Sequence, residues 1–171
     1  MQRTRRNGIV AFLPVAIIIL VILIDQITKC FFHGKGLTYS QEVINGFLTF
    51  KTVYNDGAAF SFLGDVPWAQ TFFKILTLVS IVIFYIFYLY ALKKEYVFLQ
   101  YSLALIFAGM LGNFIDRLAF SYVVDFISCN FWGYDFAVFN VADMSLCVGV
   151  AMLLFHYLFL DSQALFKKND K

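Results

Sequence analysis

Apolar residues run in four long stretches along the chain, each too long for the core of a small soluble domain. Ile9 to Ile24, Ile75 to Leu92 and Tyr96 to Ile115 carry no charge, and Met144 to Leu160 holds only His156 as a titratable group. A membrane helix needs roughly 20 mostly apolar residues to cross the hydrocarbon layer. The pattern predicts four transmembrane helices over about 9–28, 70–92, 96–116 and 141–160. The first stretch also follows a basic start, as a cleaved signal peptide does. Its length, and the lack of an A-x-A-like site after it, favour a retained span.

Basic residues orient the spans. Arg3, Arg5 and Arg6 precede the first, Lys93 and Lys94 separate the second and third, and Lys167, Lys168 and Lys171 follow the fourth. The positive-inside rule puts these ends in the cytoplasm, with both termini. The short Lys93-Lys94-Glu95 link makes spans two and three an antiparallel hairpin. The connections over 30–68 and from Asp116 to Asp143 then lie outside. In the first, Asn45-Gly46 marks a turn, and Phe47 to Tyr54 mixes β-branched with aromatic residues, which predicts a small sheet on the membrane surface. A loop follows through Asn55-Asp56-Gly57, and the second connection reads as short. The expected fold class is an all-α membrane bundle of four transmembrane helices, forming one domain over residues 1–171 with a small extracytoplasmic sheet.

Composition agrees with lipid as the main solvent. The chain is 61% hydrophobic and 14% charged, where soluble domains run near half apolar and a quarter charged. A formal charge of +2 without a long basic run does not suggest a nucleic-acid partner, and none is expected. Cys30, Cys129 and Cys147 have neither pairing parity nor CxxC spacing, so no disulfide framework or metal centre is indicated, and no cofactor is expected.

Ionisable groups at membrane depth are costly unless paired or functional. Here they gather at one level. Asp25 and Lys29 end span one, Asn113, Asp116 and Arg117 end span three, Asp125 follows, and Asn140 and Asp143 begin span four. Asp25 and Lys29 also fit a plain i,i+4 interfacial pair, and Asp116 and Arg117 fit ion pairs to neighbouring helices. Asp125 sits in an apolar run, and Asp143 has no basic neighbour in sequence, so these two favour function. His156 reads as a satisfied bundle histidine, Gly109 and Gly112 as close helix contacts, and Phe84 to Tyr90 as lipid-facing surface. Two carboxyls held together share a proton, so one can activate water while the other protonates a carbonyl or leaving amine. There is no HExxH and no GxSxG. A coupled transporter would instead favour midplane acids and repeats, neither of which is evident. A non-catalytic assembly factor would turn nothing over.

Five ordered motifs resemble those of bacterial lipoprotein signal peptidase, also called signal peptidase II. Asp25-Gln26-Ile27-Thr28-Lys29 is similar to its D-Q-x-T-K, and Asn55-Asp56-Gly57-Ala58-Ala59-Phe60-Ser61 to its N-x-G-A-A-F-S. Gly112-Asn113-Phe114-Ile115-Asp116-Arg117 resembles G-N-x-x-D-R, Val123-Val124-Asp125-Phe126 V-V-D-F, and Phe139-Asn140-Val141-Ala142-Asp143 F-N-x-A-D. Departures are small. Ala137-Val138 stands where many members have a proline, and Asp56 fills a variable position.

The resemblance implies an aspartic endopeptidase of the bacterial plasma membrane, four helices with an outer β-cradle. It cuts a diacylglyceryl-modified prolipoprotein just before the lipidated cysteine, acting as a monomer among membrane lipids. It implies Asp125 and Asp143 as the catalytic dyad, with Asn113, Arg117 and Asn140 positioning the dyad or substrate. Asn55 and Gly57 would lie in the outer cradle, and Asp25, Lys29 and Asp116 would support the site. Because a helical substrate hides its carbonyls, it must unwind locally, and the Asn113 and Asn140 amides are expected to replace its lost hydrogen bonds.

Overall fold

The computed structural model describes residues 8–57, 66 and 68–160. The basic residues that orient the termini, and Ala58 to Ser61 of the second motif, lie outside the described residues. Four helices are long and apolar enough to span a membrane. They are α1 (Gly8–Lys35), α2 (Ala69–Lys94), α3 (Val97–Phe120) and α4 (Val141–Phe155), the last extended by a π-helical turn, His156–Leu160. The four strands are β1 (Ser40–Ile44), β2 (Leu48–Asn55), β3 (Val123–Phe131) and β4 (Tyr134–Asp135).

The least hydrophobic span is the most buried. The apolar window of α3 has mean hydropathy 1.6 and is 67% buried, against 2.3 and 17% for α1 and 2.4 and 6% for α2. Lipid solvates Leu and Ile as well as a protein core does, so close backbone approach and interhelical hydrogen bonds hold such a bundle. Three glycines provide the approach. A Cβ on Gly112 would stand 2.6 Å from Asp25 Oδ2, one on Gly149 would meet Ile106 and the Ser102 carbonyl, and one on Gly109 would meet Ala142 and Leu146. Ser102 donates to the Gly149 carbonyl and Ser145 to the Leu105 carbonyl, each at 2.8 Å. Away from the sheet, Leu99, Leu103, Ile106 and Phe107 form an apolar core that Phe84 and Tyr88 join. Phe84 and Tyr88 are a helical turn apart, so part of the aromatic run expected to face lipid turns inward instead.

Glu95, at φ 59, reverses the chain between α2 and α3, with its N–H on Leu92 and that of Tyr96 on Ala91. His156 is not the satisfied histidine expected. It is buried among Tyr96, Phe98 and Tyr157, and neither ring nitrogen has a hydrogen-bond partner among the described residues.

The sheet departs most from expectation. It is antiparallel in the order β1-β2-β3-β4, and its third strand comes from the connection read as a short loop. Most of Val123 to Cys129 is buried on both faces, so it lacks the alternation that marks a half-exposed strand. Its partner β2 lies some seventy residues earlier, with Val53 opposite Asp125 and Asn55 opposite Val123. The helix ends also run on, α1 to Lys35 and α3 to Phe120.

Candidate active site

The sheet end of the bundle collects polar side chains from α1, α3, α4, β2 and β3. Asp125 enters from β3 and is 2% exposed. Its Oδ1 accepts from Asn140 Nδ2 at 2.7 Å and its Oδ2 from Asn55 Nδ2 at 2.9 Å. Asp143, half-buried, stands in the first turn of α4. Its Oδ1 accepts from Asn113 Nδ2 at 2.7 Å, and its Oδ2 from the Asn140 backbone N–H at 3.1 Å.

Asn140 is the hinge between the two acids. It caps α4 by accepting the Asp143 N–H at 2.9 Å, completing a reciprocal capping box with Asp143. Its amide NH2 meanwhile reaches Asp125 and, at 3.1 Å, Asn113 Oδ1. The chain arrives there because Phe139 pairs back along β3, its carbonyl accepting from Phe126 and Ile127. The loop between the acids is thus folded onto the strand that carries the first of them.

Beneath them lies a buried ionic cluster. Lys29, 2% exposed, donates to Asn113 Oδ1 at 2.8 Å and pairs with Asp25 at 2.9 Å and Asp116 at 3.3 Å. Asp25 takes the Ala142 N–H at 2.8 Å, tying α1 to the start of α4, and Asp116 takes the Val124 N–H at 3.0 Å, tying α3 to β3. Asp25 and Lys29 are therefore more than an interfacial pair. They form the floor on which Asn113 is aimed.

One expectation changes. Arg117 makes no ion pair within 4 Å among the described residues; its guanidinium donates to the Gly57 carbonyl at 3.1 Å and lies over the Phe73 ring. Of the Asn113 and Asn140 amides, Asn113 donates to Asp143 and Asn140 to Asp125, each at 2.7 Å. Gln26, inside the first motif, is a site residue that the sequence reading does not single out. It donates to Asp25, Asp116 and the Gly112 carbonyl at 3.1–3.2 Å. An amide beside an acid in an apolar helix was the available signal.

The electrostatics suit proton sharing. Burial, and then repulsion from Asp143, push the Asp125 carboxyl up to about 7, against the opposing bonds from Asn55 and Asn140 and the field of Lys29. The described residues hold no cluster of three or more metal-ligating side chains.

Fold and site together define a polytopic membrane protein with a paired-carboxylate centre at one end of its bundle. The family described as Signal peptidase (SPase) II matches residues 17–159. The lipoprotein signal peptidase of Coxiella burnetii is 43% identical over 84% of this chain and 88% of its own length. That of Acinetobacter baumannii is 39% identical over 92% and 93%. A bacterial membrane enzyme structure at 2.3 Å resolution, obtained by the in meso method, superposes with a TM-score of 0.74 at 36% identity, covering 92% of this chain and 93% of its own. The chain belongs to the signal peptidase II family.

Proposed function

We propose that this chain is the peptidase that removes signal peptides from prolipoproteins, with Asp125 and Asp143 as its catalytic dyad. The carrying observation is the pair of carboxylates tied together through Asn140, one of them driven to about 7 by burial and by the other. At neutral pH such a pair holds one proton between them. The ionised member takes a proton from water as the water oxygen bonds to the scissile carbonyl carbon. The protonated member gives its proton to the carbonyl oxygen. Collapse of the tetrahedral intermediate breaks the C–N bond, and the amine leaves with a proton from the dyad. Asp143, the less buried acid, is the side from which water enters.

Asn55, Asn113 and Asn140 hold the acids in register, and Asp25, Lys29, Asp116 and Gln26 form the buried floor. Arg117 holds the loop at Gly57 over the site. The substrate carries a diacylglyceryl group on the cysteine after the cut, and the acyl chains fix the scissile bond at the membrane surface. The enzyme works as a monomer in the bacterial plasma membrane, surrounded by lipid. Both termini are cytoplasmic and the site faces outward; Lys93 and Lys94 at the far end of the α2–α3 hairpin support that orientation.

The test is cleavage of a diacylglyceryl-modified prolipoprotein by wild type, Asp125→Asn and Asp143→Asn. Each variant should lose roughly 10²–10⁴-fold in kcat, the range of a general acid or base, while still folding and binding substrate. Near-full activity in either variant refutes the two-acid mechanism.

A further inference from the structure

The hairpin joining β3 to β4 places a tryptophan where the backbone least favours one. Trp132 has φ 52 and Gly133 φ 90, both positive as in a two-residue hairpin turn, a place where Asn-Gly is usual. Asn130 holds the turn, accepting the Gly133 N–H at 2.8 Å and donating to Asp135 at 2.8 Å. Trp132 is 100% exposed, its ring 6.4 Å from that of Phe131. It is not alone. Phe131, Tyr134 and Phe136 are 41–60% exposed beside it, and the neighbouring β1–β2 turn adds Phe47, 5.5 Å from the Phe131 ring, and Ile44.

The path of the sheet says where this aromatic rim lies. Strand β3 starts against α3, where Val124 bonds Asp116. It then crosses the end of α1, where Phe32 stacks on Phe126 at 4.3 Å and packs on Phe50. A face of the sheet therefore rests on the helix end, and the strands run across the bundle. From Phe126 to Trp132 the chain covers about 20 Å, well beyond the ~5 Å radius of a helix. The two turns therefore extend past the end of α1. Toward that end α1 presents Ile27 and Phe31, 67% and 56% exposed, to lipid. Residues alternating with Phe50, such as Thr49 and Lys51, line a polar groove with Glu42 and Ser128. Polar groups on the sheet and aromatic groups at its rim match a water face above and a lipid boundary at the edge.

We propose that the Trp132 rim docks into the headgroup and acyl boundary of the leaflet on the sheet side, as a second membrane anchor beside the helices. Its rings combine an apolar body with polar N–H and O–H groups, the chemistry that settles at that boundary. The anchor fixes the height and tilt of β3, and so of Asp125, over the membrane. It does not depend on the catalytic assignment.

Trp68 is the only other tryptophan, so Trp68→Phe leaves Trp132 as the sole indole reporter. The full-length variant is reconstituted into phosphatidylethanolamine–phosphatidylglycerol vesicles, with iodide admitted to both sides. Docking predicts blue-shifted emission, quenching by lipids brominated high on the acyl chain, and severalfold weaker iodide quenching than for free tryptophan. Full iodide quenching with no effect of the brominated lipid overturns the proposal. Protection that fades as the protein-to-lipid ratio falls also overturns it, because a second copy then covers the rim.

Discussion

Removing the Asn55 amide should move the pH profile of the enzyme in a direction that geometry fixes. Asn55 Nδ2 donates to Asp125 Oδ2 at 2.9 Å and so favours the ionised carboxyl, opposing the burial that holds it near 7. Asn55→Ala withdraws that support, so the carboxyl rises further and the one-proton form of the dyad persists to higher pH. A hydrogen bond to a charged group contributes about 1.5–3 kcal/mol, and 1.36 kcal/mol corresponds to one pH unit, giving a shift of about one to two units. Position 55 is half-buried, so water takes up part of the lost role and the shift falls near the lower figure, about one unit. The assay is kcat/KM for a lipid-modified prolipoprotein substrate against pH, whose alkaline limb reports the free enzyme. Asn55 Oδ1 also accepts the Gly57 N–H at 3.0 Å, so a looser loop should lower kcat/KM at every pH. That uniform loss is separable from a displaced limb. A limb that stays in place or moves to lower pH refutes the reading of Asp125 as the group titrating near 7.

Lys29→Met strips Asp25 and Asp116 of their shared buried cation and should destabilise the protein by about 3–5 kcal/mol. This is read as a marked fall in thermal unfolding temperature in detergent; an unchanged transition would show the ionic floor to be dispensable. Gly112→Ala puts a methyl group against Asp25 Oδ2 and Ala142, costing about 1–3 kcal/mol by overpacking. Because Asp25 anchors the first turn of α4, kcat should fall as well, and a variant with wild-type stability and turnover would contradict that coupling.

Four spans, a β-strand near 47–54 and most residues of the polar centre were legible in the sequence because each depends on local properties. Lipid demands long apolar runs, and an acid in such a run stands out at once, as Asp125 and Asp143 do. Tertiary structure decided the rest. Val123–Phe131 is a strand because β2 pairs with it, and most of it is buried on both faces, which no local alternation could announce. The sequence places Asn140 at the start of span four, yet only the fold caps α4 with its side-chain oxygen, turns its amide N–H onto Asp125 and makes one residue the link between two acids. Arg117 looks like an ion-pairing residue, but the loop carbonyl at Gly57 is what lies within its reach. Gln26 looks incidental beside Asp25 until α1 packs on α3. Sequence determines which groups are too costly to leave unpartnered in a membrane. The partners themselves come from segments far apart in the chain, and packing alone brings them together.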